Sequence, residues 1–471
     1  MSKAAVVGAV VIIGIGIGVV GGGGYYYASN KAEQELTNAI QLAENSMPGS
    51  SIKYESHSVS PFSQSATLHK VIFKDGKGQE YTADTVIIGG VSADKVGDIS
   101  VDKFHTAFEG GTIDIAHVDA KNIAVGAGAI VIENGKITQV FPSKVSFDLL
   151  NIQNFSAIGP DKTGITVGQY ELKNYGLKQN SNQVLKQLEL KASADGQEFL
   201  KLDQAQIDGL NVAEIAAQIE QKQSPKTLPG QPAKATLEGL SANLAGQTWS
   251  LAKFETENSA AANGDLKSSG VFSGFKIGTA HNIRLYPLAQ IGYDQIDASG
   301  NISATYDKAK QQWAFTPFSL TIKDMGSLNA DLKFNAPEDI STVNPQELLA
   351  SYKLIALKVV LHDQGLFQKI FESAAKKQSQ SSSDATANKT VTADQVKQQM
   401  IATIKEDAQN STTTVEKQGD EAILDLINNP TKSLVIEVNP ATPVTAMELM
   451  GKSQSDIFNA LQLKVTTQDA K

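Results

Sequence analysis

The stretch Ile130-Val131-Ile132-Glu133-Asn134-Gly135-Lys136-Ile137-Thr138-Gln139-Val140 carries the strongest fold signal in the chain. Two runs rich in β-branched residues flank the dipeptide Asn134-Gly135. Asn-Gly supplies the two positive φ angles that a type I′ turn requires, so the stretch predicts a β-hairpin. Because hairpins join antiparallel strands, it also favours an antiparallel sheet.

Similar turn signals divide the chain on both sides of this hairpin. They occur at Asp75-Gly76, Asp195-Gly196, Ala245-Gly246 and Ser299-Gly300. Strand-like runs lie at residues 145–149, 188–192, 249–254, 318–322, 328–334 and 354–361, and one short helix is predicted at 212–223. No regular crossover helices separate the strands. We therefore predict a mainly β (α+β) fold with a long antiparallel β-rich body at residues 49–361.

The C-terminal region, residues 362–471, is predicted to mix helices and strands. A helix follows Gly365, and a polar Ser/Gln-rich linker is expected at 376–390. Thr392 and Gln395 form a possible capping box for the next helix. Further helices are predicted at 421–428 and 456–461, with strands at 434–438 and 463–466.

The N-terminus carries no charged residue from Ala4 to Asn30. About 20 apolar residues span a ~30 Å hydrocarbon core, and a signal-peptide core is shorter. The sequence therefore predicts an uncleaved transmembrane signal anchor at residues 1–28, with the lipid bilayer as its partner. The anchor residues are Ala4, Ile12, Ile13, Ile15 and Ile17, and Tyr25, Tyr26 and Tyr27 form an aromatic belt. Lys3 favours a cytoplasmic N-terminus, which places the body in the periplasm.

Glycines within this segment allow two further interpretations. Gly14, Gly18 and Gly22 have the four-residue spacing that lets membrane helices approach closely, although small residues are common in such helices. Gly16, Gly18 and Gly21 also satisfy G-x-G-x-x-G, but no βαβ pattern follows, which argues against a dinucleotide-binding fold. An amphipathic helix at 29–48, with Leu36 and Ile40 on its apolar face, is predicted to follow the anchor.

The composition excludes several kinds of chemistry. The absence of cysteine rules out disulfides, thiolate metal sites and a cysteine nucleophile. A net charge of −9, with Arg284 as the only arginine, argues against nucleic-acid binding. Neither H-E-x-x-H nor G-x-S-x-G occurs, and Gly451-Lys452-Ser453 lacks the first glycine of a phosphate loop because position 446 is Ala446.

The six histidines do not form a recognisable site. His57 and His69 flank one predicted hairpin and, with Glu55, offer a limited basis for a metal site, so solvent-facing strand positions explain them better. Asp363, after His362, is better explained as a helix cap than as a catalytic group. We therefore predict no catalytic, cofactor-binding or metal-binding residue, and no cofactor.

Three short segments carry a family resemblance: Ile52-Lys53-Tyr54-Glu55-Ser56, Pro61-Phe62-Ser63-Gln64-Ser65-Ala66-Thr67-Leu68 and Leu361-His362-Asp363-Gln364-Gly365-Leu366. After an N-terminal anchor and helix, they resemble the corresponding parts of YdgA-like bacterial envelope proteins and, more loosely, of the AsmA-like group. The resemblance implies an inner-membrane anchor and a periplasmic β-rich body. For AsmA-like members it also implies a role in envelope lipid homeostasis or transport.

Three functional hypotheses remain open from the sequence. The first is a non-enzymatic, single-pass envelope protein whose body binds lipid or another envelope component. The second is a scaffolding protein that binds a protein partner through sheet edges or C-terminal helices. The third is a hydrolase without a readable motif. An aliphatic sheet face suits acyl chains, and it equally suits an ordinary core.

Overall fold

The computed structural model describes residues 49–60, 65–90, 95–108, 110–133, 136–223, 233–338, 350–381 and 391–470, and single positions between 34 and 45. The predicted anchor at 1–28, with its aliphatic, tyrosine and glycine positions, lies outside these residues. No helix within the described ranges is both long and apolar enough to cross a bilayer. Internal contacts divide the chain into two compact units, Met1–Thr227 with Gln231–Ala245 and Leu228–Gly230 with Gly246–Lys471.

The first unit is built mainly from strands. They are β1 (Ser51–Lys53), β2 (Ser56–Ser60), β3 (Ser65–Lys74), β4 (Glu80–Gly89), β5 (Lys95–Phe108), β6 (Gly111–Val125), β7 (Ile130–Glu133), β8 (Lys136–Val140), β9 (Val145–Ile158), β10 (Gly164–Tyr175), β11 (Ser181–Lys191), β12 (Phe199–Leu210) and β13 (Ala233–Leu244). A short 3₁₀ helix (Pro142–Lys144) precedes β9, and α1 (Val212–Glu220) follows β12.

Pairing in this unit is antiparallel throughout and mostly between chain neighbours. The sheet runs β3-β4-β5-β6-β9-β10-β11-β12-β13, and both β1 and β2 pair with β3. This confirms the predicted long antiparallel sheet. Strands β7 and β8 form the hairpin predicted from the Asn-Gly signal, as a separate two-stranded sheet; the turn itself lies outside the described residues.

The helical positions between 34 and 45 pack on this sheet. Leu36 and Ile40 are 6% and 8% exposed, and they join the core cluster that contains Leu68 and Val101. These two residues lie on the apolar face predicted for the amphipathic helix. Helix α1 begins where the Asn211 side chain accepts a hydrogen bond from the Glu214 amide at 2.9 Å, an N-cap.

The second unit contains the remaining strands and helices. The strands are β14 (Gln247–Ala260), β15 (Leu266–Gly278), β16 (Gln295–Asp307), β17 (Gln312–Ile322), β18 (Gly326–Asn335), β19 (Lys353–Asp363), β20 (Lys432–Val438), β21 (Val444–Thr445) and β22 (Lys464–Asp469). The helices are α2 (Tyr286–Gln290), α3 (Leu366–Ser381), α4 (Ala393–Asn410), α5 (Thr414–Asn428), α6 (Ala446–Leu449) and α7 (Gln454–Leu461).

The strands of the second unit pair antiparallel in the order β14-β15-β16-β17-β18-β19-β20-β22, and β21 pairs with β19. Helices α3, α4 and α5 share a small core around Phe371, Val396 and Ile427. The predicted capping box is confirmed, since Thr392 and Gln395 make both reciprocal hydrogen bonds. Helix α3 extends to Ser381, into the segment predicted as a polar linker.

Candidate functional site

The alternation of side chains along β3 is interrupted once. Leu68 and Val71 are 1% and 4% exposed, whereas His69 and Lys70 between them are both exposed. In a regular strand Leu68 and Val71 would point to opposite faces. Lys70 has a φ of 51°, and this left-handed residue returns Val71 to the face of Leu68. Two polar residues in succession therefore face the opposite side.

The same interruption recurs on alternate strands of the first unit. Lys103 on β5, Asn154 on β9, Gln187 on β11 and Gly239 on β13 have φ angles of 50°, 51°, 53° and 66°. The strand register aligns these positions across the sheet. We call the aligned residue pairs the crease: His69-Lys70, Asp84-Thr85, Asp102-Lys103, Ala116-His117, Gln153-Asn154, Gly168-Gln169, Lys186-Gln187, Asp203-Gln204 and Glu238-Gly239.

Along each strand, apolar residues lie immediately before and after the crease. They point to the face of the sheet opposite the polar residues of the crease. One row, paired strand by strand, is Leu68, Val86, Val101, Val118, Ile152, Tyr170, Leu185, Ala205 and Leu237. The row beyond the crease is Val71, Ala83, Phe104, Ile115, Phe155, Val167, Leu188 and Leu202. We call these two rows the apolar face. At the crease the strands pair one to one, and the change of phase puts both rows on the same side of the sheet.

The apolar face is not covered evenly. Leu68, Val86 and Val101 are 1%, 5% and 0% exposed, in the part where Leu36 and Ile40 pack. From β9 to β13 the same row is half-buried at every position, as at Leu185. In the second row Leu202 is 7% exposed. Five strands at ~4.8 Å spacing span about 19 Å, so the half-buried part of the first row is about as long as an extended acyl chain.

On the polar side, the crease begins with a charge cluster. The Asp84 carboxylate lies 2.7 Å from Lys70 Nζ and 2.8 Å from Lys103 Nζ. Hydrogen bonds from Lys103 and then Lys70 lower the pKa of Asp84 to about 2. Both lysines are largely exposed, so the two bridges contribute little to stability.

Beside this cluster, one histidine lies between two carboxylates. His117 Nδ1 is 2.6 Å from Asp102 Oδ1, and its Nε2 is 2.7 Å from Asp119 Oδ2. Only the imidazolium can donate from both ring nitrogens. The hydrogen bond to Asp102, more than any other contact, raises the pKa of His117, and Asp119 raises it further. Both carboxylates therefore favour the charged form of the histidine.

The centre of the crease forms an open polar cleft, lined by Gln153, Asn154, Gly168, Gln169, Lys186, Gln187 and Asp203. A Cβ at Gly168 would overlap the Gln187 side-chain oxygen, so a larger residue there would require the Gln187 side chain to move. The lining amides can hydrogen-bond hydroxyl or carbonyl groups. The lining residues include no aromatic ring on which a sugar or base could stack.

The histidines considered in the sequence do not form a site together. Strands β2 and β3 pair His57 with Leu68 and Ser56 with His69. Because directly paired residues share a face, His57 and His69 project to opposite faces. Among the described residues, no group of three or more His, Asp or Glu side chains is arranged to hold a metal ion.

Two other predicted polar positions have structural roles. Asp363 Oδ1 accepts a hydrogen bond from the Phe367 amide at 3.1 Å at the start of α3, which confirms the predicted cap. Ser453, in the segment that resembles a phosphate loop, accepts from the Asp456 amide at 3.2 Å and caps α7.

Sequence reasoning missed the crease, although the sequence carries its signal. Each such strand reads as apolar alternation that changes phase across a doublet, as in Leu68-His69-Lys70-Val71 and Val101-Asp102-Lys103-Phe104. A search restricted to unbroken period-two patterns divides these strands into short pieces. The recurrence of the phase change on successive strands is what indicates a shared register.

Comparison with protein-family models matches the C-terminal part of the chain. Residues 319–468, which run from within β17 to within β22, match the model of a family described as "Uncharacterized protein". None of the curated proteins compared with the chain matches it.

Proposed function

We propose that this chain is a non-enzymatic, single-pass inner-membrane protein of the bacterial envelope whose periplasmic body binds lipid acyl chains along the apolar face. The observation that carries the proposal is the loss of cover along one continuous row. Leu68 and Val101 are fully buried, whereas Leu185 in the same row is half-buried. A protein that used this face only as a core would cover it along its whole length.

The chemistry of the face favours acyl chains over other ligands. Ile152, Val167, Leu185 and Leu188 present aliphatic side chains, which contact methylene groups without directional demands. Aromatic residues make up 6% of the chain, which is poor for stacking sugars or bases. An apolar surface about 19 Å wide removes much of an acyl chain from water, at about 0.8 kcal/mol per buried CH₂.

The cellular location in this proposal rests on the sequence. The uncharged segment from Ala4 to Asn30 supports an anchor, and Lys3 supports a cytoplasmic N-terminus. The resemblance to YdgA-like and AsmA-like proteins agrees with both features. A scaffolding role towards another envelope protein is the alternative that the test below separates from lipid binding.

The test is photo-crosslinking of the full chain in vesicles that contain a phospholipid with a diazirine in its acyl chain. Crosslinked peptides are identified by mass spectrometry. We expect adducts in β9–β12 on the residues of the apolar face, in addition to adducts in the predicted anchor. Adducts confined to residues 1–28 would refute acyl-chain binding by the body and favour the scaffolding alternative.

A matched pair of variants makes the test specific. Ala205→Trp places a large ring on the apolar face between Leu185 and Leu237, and should reduce adducts in β9–β12 severalfold. Gln204→Trp adds the same ring on the polar side, one residue away, and should leave the adducts unchanged. Equal adduct yields from both variants would show that the crosslinks do not report occupancy of the apolar face.

A further inference from the structure

The connection between β15 and β16 holds an apolar side chain out in solvent. Ile283 is 92% exposed, and Tyr286 nearby is 50% exposed. Single exposed apolar residues are common and by themselves indicate nothing. Here the exposed aliphatic group lies between His281, Arg284 and Tyr286, side chains that bridge apolar and polar surroundings. We call residues 281–286 the tip.

Hydrogen bonds hold the turn that exposes Ile283. Thr279 is fully buried, and its Oγ1 donates to the Tyr293 carbonyl at 2.5 Å while its amide donates to the Asp294 carbonyl at 3.1 Å. Asn282 Oδ1 accepts from the Arg284 amide at 3.0 Å, which fixes the turn itself. The ordered turn presents Ile283 outward, so its exposure does not come from a frayed end.

The charge of this segment differs from the rest of the chain. The chain has a net charge of −9, yet residues 278–293 contain no Asp or Glu and include Arg284, the only arginine. Leu285, on the inner side of the turn, packs into the core around Tyr293 and Ile296. The outer side of the turn therefore combines the aliphatic side chain of Ile283 with the cation of Arg284 and the amphipathic ring of Tyr286.

This combination fits the interfacial region of an anionic lipid bilayer. An aliphatic side chain enters the acyl boundary, an arginine pairs with headgroup phosphates, and a tyrosine lies at the polar boundary. We propose that the tip is a membrane-contact site that inserts Ile283 into the surface of a bilayer containing anionic phospholipid. A protein surface fits less well, because one side chain on a narrow turn offers little area for a stable interface.

The chain contains no cysteine, so one introduced thiol can be labelled at a single position in the full chain. Ala280→Cys carries an environment-sensitive fluorophore beside the tip while Ile283 and Arg284 stay intact. Val271→Cys is the matched control, since Val271 is 50% exposed but lies within strand β15. Both labelled proteins are reconstituted into phosphatidylcholine vesicles with or without an equal amount of phosphatidylglycerol.

We expect the label at position 280 to shift to shorter emission wavelength in the anionic vesicles, and to be quenched by lipids with a nitroxide near the headgroup. The label at 271 should show neither effect. Ile283→Ser should shift the inserted-to-free ratio by about tenfold, from the cost of losing one buried aliphatic side chain. Arg284→Gln should shift it by about fivefold and remove the dependence on phosphatidylglycerol.

This proposal does not depend on acyl-chain binding by the apolar face, and the two tests can fail separately. Emission at position 280 that matches position 271 in both kinds of vesicle would overturn it. Quenching at 280 that persists in both Ile283→Ser and Arg284→Gln would overturn it as well, since contact would then not be made by the tip.

Discussion

Because the apolar face is unevenly buried, a leucine-to-alanine substitution should destabilise the protein by different amounts at two positions of the same row. Leu68 and Leu185 occupy equivalent register positions, but Leu68 is 1% exposed and Leu185 is half-buried. Leu68→Ala removes about three CH₂ equivalents at ~0.8 kcal/mol each and leaves a cavity, which together give a loss of about 3–4 kcal/mol. Leu185→Ala opens no closed cavity and should cost about 1 kcal/mol.

Hydrogen exchange measured by mass spectrometry on the full chain checks this prediction, because it reports local free energies of opening. Peptides from β3 and β11 are compared between each variant and the parent protein. Both tryptophans, Trp249 and Trp313, lie in the second unit, so their fluorescence shows whether that unit is unaffected. Equal losses at the two positions would show that β11 is packed like β3, and would remove the main support for an open acyl-chain site.

Three further predictions concern single positions. The raised pKa of His117 implies a contribution to stability that is complete below its ordinary pKa of 6.5 and is lost as the pH rises through the higher folded value. Unfolding midpoints should fall over that range in the parent but not in His117→Asn; parallel curves would contradict the ion pairs. In Gly300→Ala the new Cβ would meet a neighbouring carbonyl, and we expect a loss of about 1–3 kcal/mol by tryptophan-monitored denaturation. Gly278→Ala, with no atom within 4 Å, should be neutral, and a neutral Gly300→Ala would be inconsistent with this packing. Thr413→Ala removes the capping box of α5 and should cost about 1 kcal/mol, measured as faster exchange in the first turn of that helix; unchanged exchange there would argue against the cap.

The fold class was predictable from the sequence because turn chemistry is local. The Asn134-Gly135 signal correctly predicts the hairpin of β7 and β8, yet this hairpin forms its own small sheet. The main sheet bypasses it, because β6 pairs directly with β9, and a local pattern does not report that pairing. Helix α5 begins at Thr414, earlier than the predicted 421, because Thr413 and Glu416 form a capping box ahead of its apolar residues.

The candidate site was less accessible to sequence reasoning. Strand β9 runs from Val145 to Ile158, and only its first five residues were predicted, since Leu149-Leu150 interrupts the alternation. Burial presents a second difficulty. Leu68 and Leu185 have similar local sequence contexts, and only the helix that packs over one end of the sheet distinguishes them. The tip was not predicted, although Ile283, Arg284 and Tyr286 stand together in a stretch without acidic residues.

The crease has a consequence for how the strands find their partners. In a uniformly alternating sheet, a slip of two residues keeps every side chain on its proper face, so such an error is hard to reject. Here the strands change phase at the crease, where the left-handed residues at Lys70, Lys103, Asn154 and Gln187 align, and β6 and β10 change phase again at Asn122 and Asn174. A two-residue slip would place polar side chains on the apolar side over part of each strand. The crease therefore gives every strand a reference position along its length, and only one register satisfies all nine strands together.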